Sequence, residues 1–69
     1  MPGNREQTQE EYRDEQIKAD KAIRVGLDER LQALKGLEPS RERALSITKI
    51  QEAIMWLGMD LKRLGTPTP

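Results

Sequence analysis

Apolar residues recur along this chain at helical spacing in two stretches, separated by a short break. Between Gln9 and Lys35 there is no proline, and Gly26 is the one glycine. The stretch is rich in Glu, Gln, Lys, Arg and Ala, all good helix formers. Ile23, Leu27, Leu31 and Leu34 step by four, four and three, with Ile17 and Ala19 extending the stripe less cleanly. The acidic start (Glu6, Glu10, Glu11, Asp14, Glu15) suits the positive end of a helix dipole. A helix over about 9–35 with a narrow apolar face is predicted. Gly36-Leu37-Glu38-Pro39-Ser40 then breaks the pattern. Gly36 is expected to adopt the left-handed conformation that ends a helix, Pro39 cannot continue one, and Ser40 or Glu38 is placed to cap the next.

A second helix is predicted over about 40–64. Ile47, Ile50, Ile54, Leu57, Leu61 and Leu64 step by three, four, three, four and three, an unbroken heptad seam. Lys62 and Arg63 complement its C-terminal dipole, and Gly65 stops it. So short a connection, residues 36–39, makes the helices antiparallel neighbours. The fold class read here is all-α: an antiparallel two-helix hairpin over residues 9–64, with a frayed N-terminus at 1–8 and an extended tail at 65–69. That hairpin is expected to assemble into a homo-oligomeric helical bundle.

The expectation of assembly has two sources. One is size: about seventeen large aliphatic, Met or Trp side chains lie between Ile17 and Leu64, and domains this small bury only about 60% of their unfolded surface. Cys is absent, which removes disulfides as a staple. The other source is a surplus apolar face. Leu45, Met55, Trp56 and Met59 fall on the side of the second helix opposite its heptad seam, with Thr48, Lys49 and Glu52 among them. This face reads as a packing surface for another subunit, as such a surface with a polar ligand pocket set into it, or as scattered exposed hydrophobes.

Composition narrows the chemistry. His is absent along with Cys, so His-based acid–base catalysis, a Ser-His triad and the usual zinc or haem ligation are excluded. No enzymatic activity, cofactor or metal is expected. Acidic pairs such as Glu11 with Glu15 read as solvated surface charge, and no Gly-rich phosphate loop is present. Twelve basic residues balance twelve acidic ones, which gives no broad basic face for a DNA or RNA polymer. The longest apolar run, Ala53 to Met59, contains a glycine and is far short of a membrane span. The polar start MPGNREQTQEEYRDE does not read as a signal peptide. Arg41, Arg43 and Lys49 cluster in the first turns of the second helix. They read either as surface charge paired with Glu38, Glu42 and Glu52, or as an anion site in which Arg41, the free N–H groups of the helix start and the Thr48 hydroxyl hold a phosphate.

The run Pro39 to Trp56, PSRERALSITKIQEAIMW, resembles the C-terminal helix of small phage hairpin proteins that sequester signalling nucleotides, the anti-CBASS sponges and their anti-Thoeris relatives. Arg41-Glu42, Leu45, Thr48-Lys49, Glu52-Ala53 and Met55-Trp56 carry the likeness. Tyr12-Arg13 and Arg24-Val25-Gly26 extend it into the first helix at slightly shorter spacing, and Leu57-Gly58 replaces the small-polar pair expected after the tryptophan. The resemblance implies a homo-oligomer, often a hexamer built as a trimer of dimers. It would bind cyclic di- or trinucleotides, or cyclic ADP-ribose variants, at subunit interfaces without cleaving them, in the cytoplasm of the infected host. It further implies that Tyr12 stacks on a base, that Arg24 meets a phosphate in a dinucleotide-type pocket, and that Arg41, Thr48 and Lys49 line a trinucleotide-type pocket. Read from the residues alone, Tyr12 is equally a packing residue at a helix start and Arg24 a surface charge. The whole chain also reads as a structural or adaptor coiled-coil oligomer with no small-molecule ligand.

Overall fold

A computed structural model describes residues 8–66, and the described chain is two helices. The frayed terminus and the TPTP tail expected from the sequence lie outside those residues, apart from Thr8, Gly65 and Thr66. Helix α1 spans Gln9–Lys35 and α2 spans Arg41–Gly65. They pack side by side as a hairpin, and among the described residues there is no strand.

Each helix starts on a side-chain cap. Thr8 and Glu11 form a capping box: the Glu11 N–H donates to Thr8 Oγ1 at 3.1 Å, and the Thr8 N–H donates to Glu11 Oε1 at 3.2 Å. Both satisfy N–H groups that a helix start leaves without acceptors. Of the two candidates for the second cap, Ser40 takes the role, accepting from the Arg43 N–H at 3.0 Å. The end of α1 departs from the expectation. Gly36 sits at φ −77° and ψ −10°, in the right-handed region. Its N–H and that of Leu37 reach back three residues, to Ala33 and Leu34 at 3.2 and 3.1 Å. A tightened last turn therefore ends the helix, and no left-handed residue is needed. Pro39, which has no N–H, and the Ser40 cap then fix where α2 begins.

The seam between the helices is narrow. From α2 it takes Ile47, Ile50, Ile54, Leu57, Leu61 and Leu64, all half-buried, as the heptad predicts. From α1 it takes Leu27, Leu34 and the fully enclosed Leu31. Ile23 does not join them and stands 55% exposed. Two successive steps of four rotate a side chain by about 80° around a helix of 3.6 residues per turn, so Ile23, Leu27 and Leu31 cannot share one seam. The α1 contact line instead continues as Arg24, Asp20, Ile17 and Arg13, in alternating steps of four and three. Its half nearer the open end is consequently polar.

Candidate functional site

The five residues singled out from the sequence fall in three separate places. Tyr12, in the first turns of α1, is 57% exposed and lines a cleft of about 690 Å³ at the open end of the hairpin. Arg13 stands beside it, and Arg63, Leu64 and Thr66 close the cleft from the end of α2. Arg24 lies more than three turns further along, in a groove of about 480 Å³ with Lys21 and Val25 on one wall and Ile54 and Leu61 on the other. Asp28 and Glu29 stand in the same groove. Arg41 and Thr48 occupy the outer face of α2, two turns or about 10 Å apart along its axis. Lys49 is rotated about 100° away from Thr48. Neither the cleft at Tyr12 nor the groove at Arg24 includes Arg41, Thr48 or Lys49.

The outer face of α2 is the surplus apolar surface expected from the sequence. Leu45, Met55, Trp56 and Met59 are 53, 48, 61 and 50% exposed. Leu45, Met55 and Met59 follow, with Arg41, Thr48 and Glu52, the line 41, 45, 48, 52, 55, 59, again in alternating steps of four and three, and Trp56 flanks it. The outer face thus repeats the heptad geometry of the inner seam, and no other described element packs on it. At its start, Ser40 takes the N–H of Arg43, while those of Arg41 and Glu42 keep the free donor capacity of a first helical turn. The Thr48 hydroxyl donates to the Ala44 carbonyl at 3.2 Å, leaving its lone pairs to accept a bond. Arg43, grouped with Arg41 by sequence, turns instead toward the loop and donates to the Glu38 carbonyl.

Sequence reasoning treated Arg63 only as a complement to the helix dipole. The hairpin register places it across from Tyr12, a relationship no local motif carries. Its guanidinium donates to Asp60 Oδ1 from Nε and Nη2, at 2.9 and 2.6 Å. Asp60 in turn meets Asp20 from α1. The Asp20 Oδ2 atom is enclosed, and with both carboxyls ionised it has no hydrogen-bond donor among the described residues. Hydrogen bonding to Asp60, more than burial or repulsion, raises the pKa of Asp20, while the same bond and the one from Arg63 lower that of Asp60. The pair is thus held together when Asp20 carries a proton and Asp60 a charge.

Among the described residues no group of three or more acidic, His or Cys side chains is placed to hold a metal ion. None of their helices is long and apolar enough to cross a membrane. A protein-family model described as the Acb2/Tad1 hairpin domain matches residues 2–60. Neither the curated proteins nor the solved structures contain a match.

Proposed function

This chain belongs to the Acb2/Tad1 hairpin-domain family, and from that premise we propose that it is a phage sponge for cyclic di- or trinucleotide immune messengers. It binds them at interfaces between copies of itself, inside the infected cell, and holds them uncleaved. The observation that carries this reading is the open outer face of α2, where Arg41 and Thr48 lie in one heptad line with Leu45, Met55 and Met59. An apolar line of that regularity fits a second helix, and a cation and a hydroxyl within it fit an anion held between the two. Copies arranged about a symmetry axis, a trimer of dimers, bring several Arg41 and Thr48 side chains onto one ring-shaped polyanion. Lys49 flanks that pocket, while Tyr12 and Arg24, far apart in one chain, meet a smaller cyclic dinucleotide together only when supplied by two copies. Water excluded by Met55, Trp56 and Met59 strengthens each charged contact.

A sponge acts by mass action. It need only hold the free messenger below the concentration its effector requires. No nucleophile or general base is called for, in keeping with a chain that has neither His nor Cys. The structural coiled-coil alternative rested on the Ile47–Leu64 seam, and that seam is occupied inside the hairpin. Native mass spectrometry of the purified protein with cyclic di- and trinucleotides tests the reading. The expected outcome is an oligomer that gains whole nucleotides, recovered intact after heat or protease. An oligomer that takes up none of them leaves only the structural role.

A further inference from the structure

Arg24 reaches across the hairpin and comes to rest over Gly58 of α2. A Cβ at residue 58 would stand 3.1 Å from Arg24 Nη2, 3.3 Å from Cζ and 3.8 Å from Nε. The guanidinium therefore occupies the space that a side chain at 58 would need. Gly26 and Gly65, by contrast, have nothing within 4 Å of that position. Gly58 is also costly where it stands, since glycine in a helix interior gives up backbone entropy and contributes no packing. The Arg24 contact supplies a reason for it.

We propose that Gly58 is a positioning residue: the notch it leaves in α2 seats the Arg24 guanidinium and presents it, ordered in advance, to a phosphate in the groove with Lys21. This rests on the reading of Arg24 as a phosphate-binding residue. The physical effect is preorganisation. An arginine free to explore its rotamers must be ordered when the anion arrives, whereas one already lodged against the opposite helix loses little further freedom. A methyl group at 58 meets the flexible end of a side chain, so the fold accommodates it by moving Arg24 off its seat.

The variant Gly58→Ala separates this role from a structural one, because the two predict opposite signs. Helix propensity makes the variant as stable as the wild type or more so. Positioning makes it a poorer binder, with about fivefold weaker affinity for cyclic di-AMP by calorimetry, the loss expected for one unfixed side chain. In the double variant Gly58→Ala with Arg24→Ala, affinity should equal that of Arg24→Ala alone, since a seat without its occupant does nothing. Without any ligand, the Arg24 Nε–H resonance should be resolved in the wild type and averaged in Gly58→Ala. An unchanged Arg24 resonance, or additive losses in the double variant, overturns the proposal. If the wild type takes up no cyclic dinucleotide, the sponge reading fails for that ligand class, and the Arg24 resonance still decides whether Gly58 is a seat.

Discussion

Leu31 is 4% exposed, the most deeply enclosed side chain among the described residues. Everything else in the seam is half-covered, so this leucine is where the two helices are most firmly joined. Truncating it leaves a void that a pair of long helices can only partly close. Leu31→Ala should lower stability by about 2 kcal/mol, at the low end for buried leucines because the surrounding seam is shallow. Urea unfolding followed by far-UV circular dichroism measures it. Ile23→Ala is the companion, and with that side chain 55% exposed in the hairpin its effect there should be within about 0.5 kcal/mol. The contrast shows what the sequence could and could not say at this scale. Leu27, Leu31 and Leu34 were legible as apolar positions at helical spacing. Ile23 was assigned with them on hydrophobicity, but the rotation between successive steps of four gives its place to Arg24. The Thr8–Glu11 box was missed, because residues 1–8 read as frayed, although its local signature, a threonine followed three residues later by a glutamate, stands in the sequence.

Each helix brings a carboxylate into the polar half of the seam, and the pairing of Asp20 with Asp60 makes the joint sensitive to pH. Its two members act in opposite senses. Asp60, lowered chiefly by its bonds to Asp20 and Arg63, contributes stability that is present above the ordinary aspartate value of 3.8 and is lost as pH falls through its depressed value. Asp20, raised chiefly by its bond to Asp60, contributes stability that is complete below 3.8 and is lost as pH rises through its elevated value. The joint is therefore tightest in mild acid and looser toward neutrality, where two charged carboxylates face each other with Arg63 beside them. Asp20→Asn keeps a donor toward Asp60 at every pH. The variant should melt higher than the wild type at about pH 7, with the gap closing as pH falls toward about 4. A gap that stays constant across thermal melts in that range means the two carboxyls share no proton. This pairing was invisible in the sequence. Asp20 and Asp60 belong to no common motif, and only the antiparallel register brings them together. The helices themselves were legible because their spacing and caps are local, whereas the contact between their ends depends on the relative rotation of two elements.

At the scale of the molecule, two helices with one enclosed leucine make an open plank. The radius of gyration is 16.9 Å, against about 11 Å for a compact domain of this length. Trp56 and the heptad line around it lie on the broad side of that plank, 61% exposed in the case of the tryptophan. The same alternation of fours and threes that joins α1 to α2 is thus written a second time on α2 with no partner among the described residues. Its occupant is a second copy, on the reading proposed above, and the prediction follows from the geometry of the line. Met55 stands on it between Glu52 and Met59, 48% exposed and outside the inner seam, so Met55→Glu places a charge in the intermolecular contact while leaving the hairpin's own packing and helix propensity intact. In sedimentation equilibrium at micromolar concentration the wild type should run as a multiple of its 7.9 kDa chain mass. The variant should shift toward the single chain, and its Trp56 emission should move to the red as water reaches the indole. Should the wild type itself run at 7.9 kDa with a red-shifted tryptophan, the outer face is a bare surface and the messenger has no interface in which to be held. Should the variant stay assembled, the copies meet elsewhere, and Arg41 and Thr48 lie outside the contact that was to bring their symmetry mates together.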